Sequence, residues 1–511
     1  MSKNTQRNLR KRKRRIEYRL RDRDWCDQRR PMFGASNVHY EIAERTRGFG
    51  AGGIGAIHEL ARRTGLVKEI DETLHLLKVH LPYHESDHVL NIAYNTLAGG
   101  RCLEDLERLR NDEVYTDALG SQRIPDPTTA GDFCRRFKPH HVEALMDAIN
   151  EVRLRVWAQQ PASFFEEAVI EADGTYVETT GECKQGMDFN RHGEFSYHPL
   201  LVSLANTQEP LYLVNRSGNR NSHEGATERY DQAIGLCRRA GFKQITLRGD
   251  TAFSQSEYLD RWDDEGVRFV LGYSASGNLV KMADELAPKC WKRLVRPVRH
   301  EVQTEPRSRP ENVKKQAVID REYKNIRLNH EDVASFSYSP SRATKEHRIV
   351  VVRKNLTIER GEAALFDEIR YFFYITNEME AKASKIVYEA NARCNQERLI
   401  GQLKGGVHAL HAPVDNLVSN WAYSVMASLG WTLKSWFALM LPAKGRWAKK
   451  HAAEKAVVLR MNFQTFVHTF MLLPTQIIRQ GRRTIYRVLG WNRWLPVFFR
   501  CWDEIRTPLR C

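Results

Sequence analysis

Apolar residues in the N-terminal third of the chain follow a helical spacing. Between positions 35 and 160 they recur three and four residues apart, in segments such as AIHELARRTGL, HESDHVLNIAYNTLAGG and VEALMDAINEVRLRVWAQQ. This spacing places the apolar side chains on one face of each helix. The pattern therefore predicts a helical region over residues 35–160.

At Ala168 the spacing changes from helical to strand-like. Apolar runs predict strands at 168–177, 198–204, 211–214, 244–250 and 267–271, with helices at 228–241 and around 258–262. Three strands, a helix, a strand, a helix and a strand is the order of a ribonuclease H-like domain, which we predict for residues 161–405. The predicted fold class is α/β, with an RNase H-like core flanked by N- and C-terminal α-helical regions.

The stretch 274–381 inside that domain is polar. It carries short strand-like pieces at 317–319, 348–352 and 371–375, and we predict a β-rich insertion there. After Lys385 the helical spacing returns and continues to the end of the chain, which predicts a helical C-terminal region over 406–511.

The most apolar segment of the chain is Trp421–Leu441. Polar residues such as Lys434 interrupt it, which favours a buried amphipathic helix over a membrane span. We predict that its tryptophans belong to the core instead of stacking on bases. They are Trp421, Trp431 and Trp436.

Charge is concentrated at the two ends of the chain. Residues 1–30 hold 13 basic and 4 acidic side chains, and residues 443–511 hold 14 and 3, whereas the whole chain has a net charge of +16. The middle is therefore mildly acidic, at about −4. Basic ends favour a polyanionic partner, because Lys and Arg release counterions from phosphates; surface charge that only maintains solubility is the alternative.

The first 34 residues contain too little apolar material to pack a core of their own. We predict a flexible basic arm that touches phosphates, with a solvated tail as the alternative. The same segment lacks the apolar stretch of a secretory signal. Nine cysteines are scattered singly without a CxxC pair, as expected for reduced thiols in a cytoplasmic protein.

Two aspartates stand at predicted strand ends, each beside a glycine. Asp173 ends the strand AVIEAD and Asp250 ends QITLRGD. Adjacent central strands would bring the two carboxylates together, and carboxylates are the ligands that Mg²⁺ prefers. We interpret the neighbouring glycines, Gly174 and Gly249, as positions where a nucleic-acid backbone could approach.

A third acidic candidate lies in a predicted helix over Ala390–Lys404. Arg393, Glu397 and Lys404 would fall within about 40° of one another around that helix, at 100° per residue. One face would then offer a carboxylate between two cations suited to phosphate. An exposed Arg–Glu pair is the alternative when the helix is considered alone.

A helix near the middle of the N-terminal region carries paired arginines. The turn Pro125–Thr129 precedes it, where threonine hydroxyls could cap the helix, and Arg135 and Arg136 could face outward toward DNA, as in a helix-turn-helix. An ordinary capped helix with solvated arginines is the alternative. His198 and the pair His223-Glu224 are secondary candidates near the carboxylates.

Three segments together resemble the catalytic blocks of bacterial insertion-sequence DDE transposases, specifically the insertion-sequence 1380 family. They are EADGTYVETTG, LRGDTAFSQ and NARCNQERLIGQLKGG. The phrases PYHESDHVLNIAYNTLAGG, ERLRNDE, IPDPTTAGDFCRRF and HPLLVSLA extend the resemblance over nearly the whole chain.

The resemblance implies metal-dependent cleavage and strand transfer of DNA. It implies that Asp173, Asp250 and Glu397 hold two Mg²⁺ ions (Mn²⁺ as a substitute), and that Arg393 and Lys404 contact DNA. The substrates would be terminal inverted repeats and target DNA, the 35–160 region would bind DNA or dimerise, and a homodimer without membrane association would hold the ends.

The sequence departs from the family signature at one position. Where the signature has a tyrosine, this chain has Ala390, and Tyr388 is the nearest tyrosine. A contact of that tyrosine with the DNA strand end would therefore be lost. Two other function classes stay open: a DNA-binding repressor that keeps the fold without chemistry, and a nuclease that cleaves without joining.

Overall fold

In this computed structural model, the described residues are 2–21, 38–42, 46–181, 183–296, 320–360, 363–480 and 483–509. Among them, no helix is both long enough and apolar enough to cross a membrane. The predicted strand piece at 317–319 lies outside these residues.

A nine-stranded mixed sheet forms the centre of the molecule. Its strands are β2 (Glu167–Gly174), β6 (Leu200–Leu204), β7 (Glu209–Val214), β8 (Gln244–Gly249), β9 (Arg268–Tyr273), β10 (Lys292–Arg293), β11 (Lys324–Tyr338), β12 (His347–Arg360) and β13 (Ala363–Thr376). Their order across the sheet is β10-β11-β12-β13-β9-β8-β2-β6-β7. A separate small sheet consists of β3 (Val177–Glu178), β4 (Asp188–Phe189) and β5 (Phe195–Tyr197).

Strand β2 lies in the interior of the large sheet. It pairs antiparallel with β6 on one side and parallel with β8 on the other, and β8 pairs parallel with β9. The parallel pairs are joined by α9 (Ala226–Ala240) and α10 (Ser256–Asp264). The sequence order of five strands and two helices is as predicted, and it places the carboxyl ends of β2 and β8 side by side.

The β-rich stretch predicted at 274–381 continues the large sheet. Strand β13 pairs antiparallel with β9, and β11, β12 and β13 form a long antiparallel meander. Both predicted strand pieces within the described part of this stretch lie in these strands, at 348–352 and 371–375. A short helix, α11 (Gly277–Asp284), precedes them.

The helices of the N- and C-terminal regions pack together around one buried helix. That helix is α14 (Leu417–Leu439), and it is buried from Ser419 to Leu439. The helices before the sheet are α1 (Lys3–Arg19), α2 (Ile54–Arg63), α3 (Leu66–Thr73), α4 (Glu85–Leu97), α5 (Leu106–Arg110), α6 (Glu113–Leu119), α7 (Pro127–Arg135) and α8 (Pro139–Trp157). Helix α14 contacts α4, α8 and β7. The helices after the sheet are α12 (Ala383–Asn391), α13 (Cys394–Gly405), α15 (Ala448–Arg460), α16 (Phe463–Phe466) and α17 (Leu495–Ile505).

The tryptophans of α14 are core residues, as predicted. Trp431 donates its indole N–H to the carbonyl of Gln208 at 2.6 Å, and Trp436 donates to the carboxylate of Glu209 at 2.9 Å. Glu209 is fully buried at the start of β7 and also accepts from Arg153 at 3.1 Å. These bonds satisfy polar groups in the interior and connect the helices to the edge of the sheet.

Two predictions about the chain ends are wrong. The start of the predicted flexible arm is the helix α1, which packs against α17. The C-terminal region is not helical throughout: β14 (Thr475–Gln480) and β15 (Arg483–Val488) form a hairpin, which pairs with β1 (Gly48–Phe49). The helical spacing of the sequence does not reveal either feature, because both depend on contacts between distant segments.

Candidate active site

The carboxyl ends of β2 and β8 bring Asp173 and Asp250 together. Glu171 pairs with Arg248 in these two parallel strands. Asp173 and Asp250, each two residues further along its strand, therefore also lie opposite each other. Side chains alternate along a strand, which puts all four on the same face of the sheet. Paired strands are about 4.8 Å apart, so the two aspartates are neighbours at one edge.

Both aspartates are half-buried and hold local backbone contacts. Asp173 accepts a hydrogen bond from the N–H of Gly174 at 2.8 Å, and Asp250 accepts one from Ala252 at 2.8 Å. Burial, and then the nearby charge of Asp250, raise the pKa of Asp173 to about 6. The site therefore concentrates negative charge that a bound cation would relieve.

Glu397 lies in the first turn of α13, where it is exposed. Its charge contributes to raising the pKa of Asp173, less strongly than that of Asp250. The preceding residue, Gln396, fixes the helix to β6: its amide donates to the carbonyl of Leu201 at 3.1 Å, and its oxygen accepts from the hydroxyl of Ser203. This anchoring sets Glu397 above the same face of the sheet.

The single helix predicted over Ala390–Lys404 is wrong. The chain forms two helices, α12 and α13, that meet at Ala392 and Arg393, and Arg393 caps the second one. Apolar spacing continues across this junction, so it gives no sign of the break. Arg393 is thus the N-cap residue of the helix that carries Glu397, and not an interior residue of one long helix.

Arg393 nevertheless faces the carboxylates. Its charge lowers the pKa values of both Glu171 and Asp173, against the effect of burial. Within the described part of the chain its guanidinium forms no hydrogen bond or ion pair. A cation with unused donors beside two carboxylates is suited to a phosphate oxygen.

Lys404 has a partner within the protein. Its ammonium donates to the carbonyl of Tyr176 at 2.6 Å, and burial lowers its pKa. Tyr176 lies two residues after the end of β2, so this bond holds the segment that follows Asp173 against the end of α13. A phosphate contact by Lys404 would have to share or replace this bond.

A buried ion pair lies two residues before the aspartates, in the same two strands. The guanidinium of Arg248 donates to the carboxylate of Glu171 at 2.7 Å and to the carbonyl of Glu389, in α12, at 3.1 Å. Arg248 therefore connects β2 and β8 to the helix that leads to Arg393. The sequence did offer a signal, because both charged residues stand in apolar strands two positions before the aspartates.

The glycines beside the aspartates are packed against protein. A Cβ on Gly174 would lie 2.7 Å from Nε2 of His198, and one on Gly249 would lie 2.9 Å from the hydroxyl of Tyr230. Their interpretation as openings for a nucleic-acid backbone is therefore wrong. Both residues are small because side chains on the opposite face of the sheet approach them closely.

His198 has a structural environment. It is buried, its Nδ1 hydrogen-bonds the carbonyl of Arg220 at 2.8 Å, and its ring lies 4.4 Å from that of Tyr176. It lies on the Gly174 side of the sheet, opposite the carboxylates. Glu224, another secondary candidate, accepts from the guanidinium of Arg220 at 2.6 Å.

Ala390, which stands where the family signature has a tyrosine, and the nearby Tyr388 both contact other parts of the protein. Ala390 is buried in a small apolar cluster with neighbours that include Val270 and Val352. The hydroxyl of Tyr388 donates to the carbonyl of Val295. Neither position presents an aromatic ring to the carboxylates.

Comparison with known proteins decides the family. The sequence model of the transposase DDE domain group 1 family matches residues 49–468, which include all three candidate carboxylates. The chain belongs to this family. No curated protein sequence matches it.

Among solved structures, the piggyBac transposase in a cryo-EM synaptic complex with hairpin DNA aligns with 8% identity and a TM-score of 0.37. The alignment covers 83% of this chain and 80% of that chain. At this distance the likeness adds nothing to the family assignment.

Within the described part of this DDE-family chain, no three His, Cys, Asp or Glu side chains are close enough to share a metal ion. Asp173 and Asp250 offer an adjacent pair of carboxylates, whereas Glu397 stands further out on its helix. The donor set is chemically suited to Mg²⁺, which is satisfied by a few carboxylates together with water and phosphate oxygens.

The paired arginines of α7 lie in a different part of the molecule. Arg135 is bound by two carboxylates, Asp132 at 2.8 Å and Asp415 at 3.1 Å, and Arg136 is exposed at the helix end. The helix is capped by Asp126, which accepts from the N–H of Thr129 at 2.9 Å. The cap is thus the aspartate, where the sequence suggested threonine hydroxyls.

Proposed function

We propose that this DDE-family chain is a DNA transposase of the insertion-sequence 1380 type. It binds the terminal inverted repeats of an element, cleaves the element ends and transfers the 3′ hydroxyl ends into target DNA. The observation that carries the proposal is the level position of Asp173 and Asp250 at the ends of neighbouring parallel strands, below the helix that bears Glu397.

The proposal includes a ribonuclease H-like core. The sheet order β7-β6-β2-β8-β9, antiparallel over its first three strands and parallel over β2, β8 and β9, supports it. In such a sheet the carboxyl ends of parallel strands are the place where a site can be assembled from distant segments.

Asp173, Asp250 and Glu397 are the residues that would hold two Mg²⁺ ions, with Mn²⁺ as a substitute. When bound, such a pair activates the attacking oxygen and stabilises the leaving oxygen of a phosphodiester. Arg393 would neutralise a phosphate oxygen beside the aspartates. Lys404 holds the segment after Asp173 through Tyr176 and keeps that carboxylate in place.

The reaction consists of two phosphoryl transfers. Water attacks the phosphorus at the element end, a new P–O bond forms, and the bond to the 3′ oxygen breaks to release a 3′ hydroxyl. That hydroxyl then attacks a phosphorus in target DNA, and the target 3′ oxygen leaves. No bond between protein and DNA is formed in either step.

The test is a joining reaction with labelled element ends, target DNA and Mg²⁺. We expect cleaved and joined products with the unaltered chain, and neither with Asp250→Asn, whose binding to the ends should stay measurable. Cleavage without joining by the unaltered chain would identify a nuclease, and strand transfer by Asp250→Asn would contradict the proposed site.

Two element ends must be held together for coordinated joining, so the proposal includes a homodimer. Sedimentation of the full chain with and without terminal-repeat duplexes measures this directly. We expect a complex with two chains and two duplexes; a complex with one chain on one duplex at all concentrations would contradict it.

A further inference from the structure

Helix α1 is attached to the rest of the molecule by one narrow face. Thr5, Leu9, Arg12 and Ile16, spaced by three and four residues, are the positions along it that are at least partly buried. Leu9 joins the main hydrophobic core, and the guanidinium of Arg12 donates to the carbonyls of Val488 at 3.1 Å and Gly490 at 2.8 Å. The N-terminal helix is thereby fixed to the end of the C-terminal hairpin.

This attachment leaves most of the charge of α1 facing solvent. Eight basic side chains of the helix are exposed, and its one acidic residue is Glu17. Three more exposed arginines lie in β15 and just after it, next to the carbonyls that hold Arg12. We call these eleven residues the terminal basic surface: Lys3, Arg7, Arg10, Lys11, Lys13, Arg14, Arg15, Arg19, Arg483, Arg487 and Arg493.

Such a concentration of one charge is costly in the absence of a polyanion. Like charges on successive turns of a helix repel one another, and among these residues Lys13 has an ion pair, to Glu17 at 3.4 Å. A helix of 17 residues is about 25 Å long, and duplex DNA presents one phosphate per about 1.7 Å of its axis. The eight exposed cations of the helix therefore average about one per 3 Å of its length, close to the spacing of about 3.4 Å between phosphates along one DNA strand.

We propose that the terminal basic surface binds the phosphate backbone of duplex DNA, as a site separate from the carboxylates and built from both ends of the chain. This inference rests on the proposed function for the identity of the polyanion. It adds that α1 acts as a docked helix, with Leu9 and Arg12 fixing its orientation and the opposite side, which includes Arg7, Lys11 and Arg14, meeting DNA.

The first test measures the affinity of the full chain for a 30-base-pair duplex of unrelated sequence as a function of salt. The variant Arg7→Gln/Lys11→Gln/Arg14→Gln should reduce the slope of log K against log[salt] by about 3 and weaken binding roughly 10- to 100-fold. The matched control, Arg62→Gln/Lys68→Gln/Lys281→Gln, removes three exposed charges that each pair with a glutamate three or four residues away. It should leave the slope unchanged.

The second test separates a docked helix from a charged tail. Leu9→Ser keeps every charge but removes the apolar contact, so we expect severalfold weaker binding because the helix must be ordered when DNA binds. Affinity equal to that of the unaltered chain would overturn the docked arrangement. An unchanged salt slope in the triple variant would overturn the surface itself.

The two proposals fail in different measurements. The salt slope on the unrelated duplex reports on the terminal basic surface, whereas cleavage of element ends reports on the carboxylates. If the triple variant keeps the slope while Asp250→Asn still loses cleavage, only the surface is wrong. If Asp250→Asn cleaves while the triple variant loses slope, only the proposed carboxylate site is wrong.

Discussion

At the scale of single residues, the site is held by a buried ion pair behind the aspartates. Glu171 and Arg248 are 2% and 8% exposed, and Arg248 also binds a carbonyl of α12. Burial raises the pKa of Glu171 to about 7, against the effect of Arg248. The pair thus ties the two aspartate strands to the chain segment that carries Arg393.

Removing one member of this pair should destabilise the protein far more than replacing both members with apolar residues. Arg248→Ala leaves a buried carboxylate without its partner, and we expect a loss of about 3–5 kcal/mol in the free energy of unfolding. Glu171→Leu/Arg248→Met should be close to neutral in stability yet reduce cleavage, because the bond to the Glu389 carbonyl is gone. Urea denaturation and single-turnover cleavage measure the two effects; full activity in the stable double variant would show that the pair has no positioning role.

The position of the missing signature tyrosine gives a second prediction. Ala390 is 2% exposed in an apolar cluster, so Ala390→Tyr should overpack it and cost about 1–3 kcal/mol without strengthening DNA binding. Tyr388→Phe, which removes only a hydroxyl, is the matched control. A gain in affinity for element ends in Ala390→Tyr would show that the ring reaches DNA from this position.

Strand geometry determines which residues of the site could be predicted from the sequence. Asp173 and Asp250 could be found because each ends an apolar run, and a period of two in those runs also points to Glu171 and Arg248. The role of Gly174 and Gly249 could not be found, because the side chains that approach them, His198 and Tyr230, come from other elements.

At the scale of elements, α14 was predictable and the break between α12 and α13 was not. A continuous apolar segment identifies a buried helix whatever surrounds it. The break leaves the helical spacing intact, because it depends on what each helix packs against. Helix α12 packs on β9, β11, β12 and β13, whereas α13 packs on β2 and β6.

Helix α14 contains a fully buried lysine. Lys434 donates to the carbonyl of Leu459 at 2.7 Å and lies 3.8 Å from the centre of the Trp431 ring. Burial lowers its pKa to about 7 from 10.5. The unfolded chain binds more protons between these values, so the free energy of unfolding rises with pH from about 7 to 10.5.

Lys434→Met should therefore stabilise the protein most at a pH at which the lysine is charged in both the folded and the unfolded chain. We expect a gain of about 1–3 kcal/mol at pH 6.5 that becomes smaller at pH 9.5. Lys449→Met, at an exposed position of α15, is the control and should show no such dependence. A gain that grows with pH would contradict the expectation that burial of the charged lysine destabilises the protein.

At the scale of the whole molecule, the two basic ends of the chain meet on one surface. The aspartates of the acidic site lie in the sheet, which is formed by the part of the sequence between these ends. The charge distribution predicted basic ends, but not that α1 and the hairpin would join. The β-rich stretch was likewise predicted as strands, whereas its continuation of the large sheet through β13 and β9 depends on long-range pairing.

The central claim is that Asp250 holds a divalent cation for phosphoryl transfer, and a change of ligand tests it most directly. Thiolates favour softer metals than carboxylates do. Asp250→Cys should therefore lose strand transfer of pre-cleaved ends in Mg²⁺ and recover part of it in Mn²⁺, while Asp250→Asn stays inactive in both. Strand transfer by Asp250→Cys at the level of the unaltered chain in Mg²⁺, or no recovery in Mn²⁺, would contradict the claim.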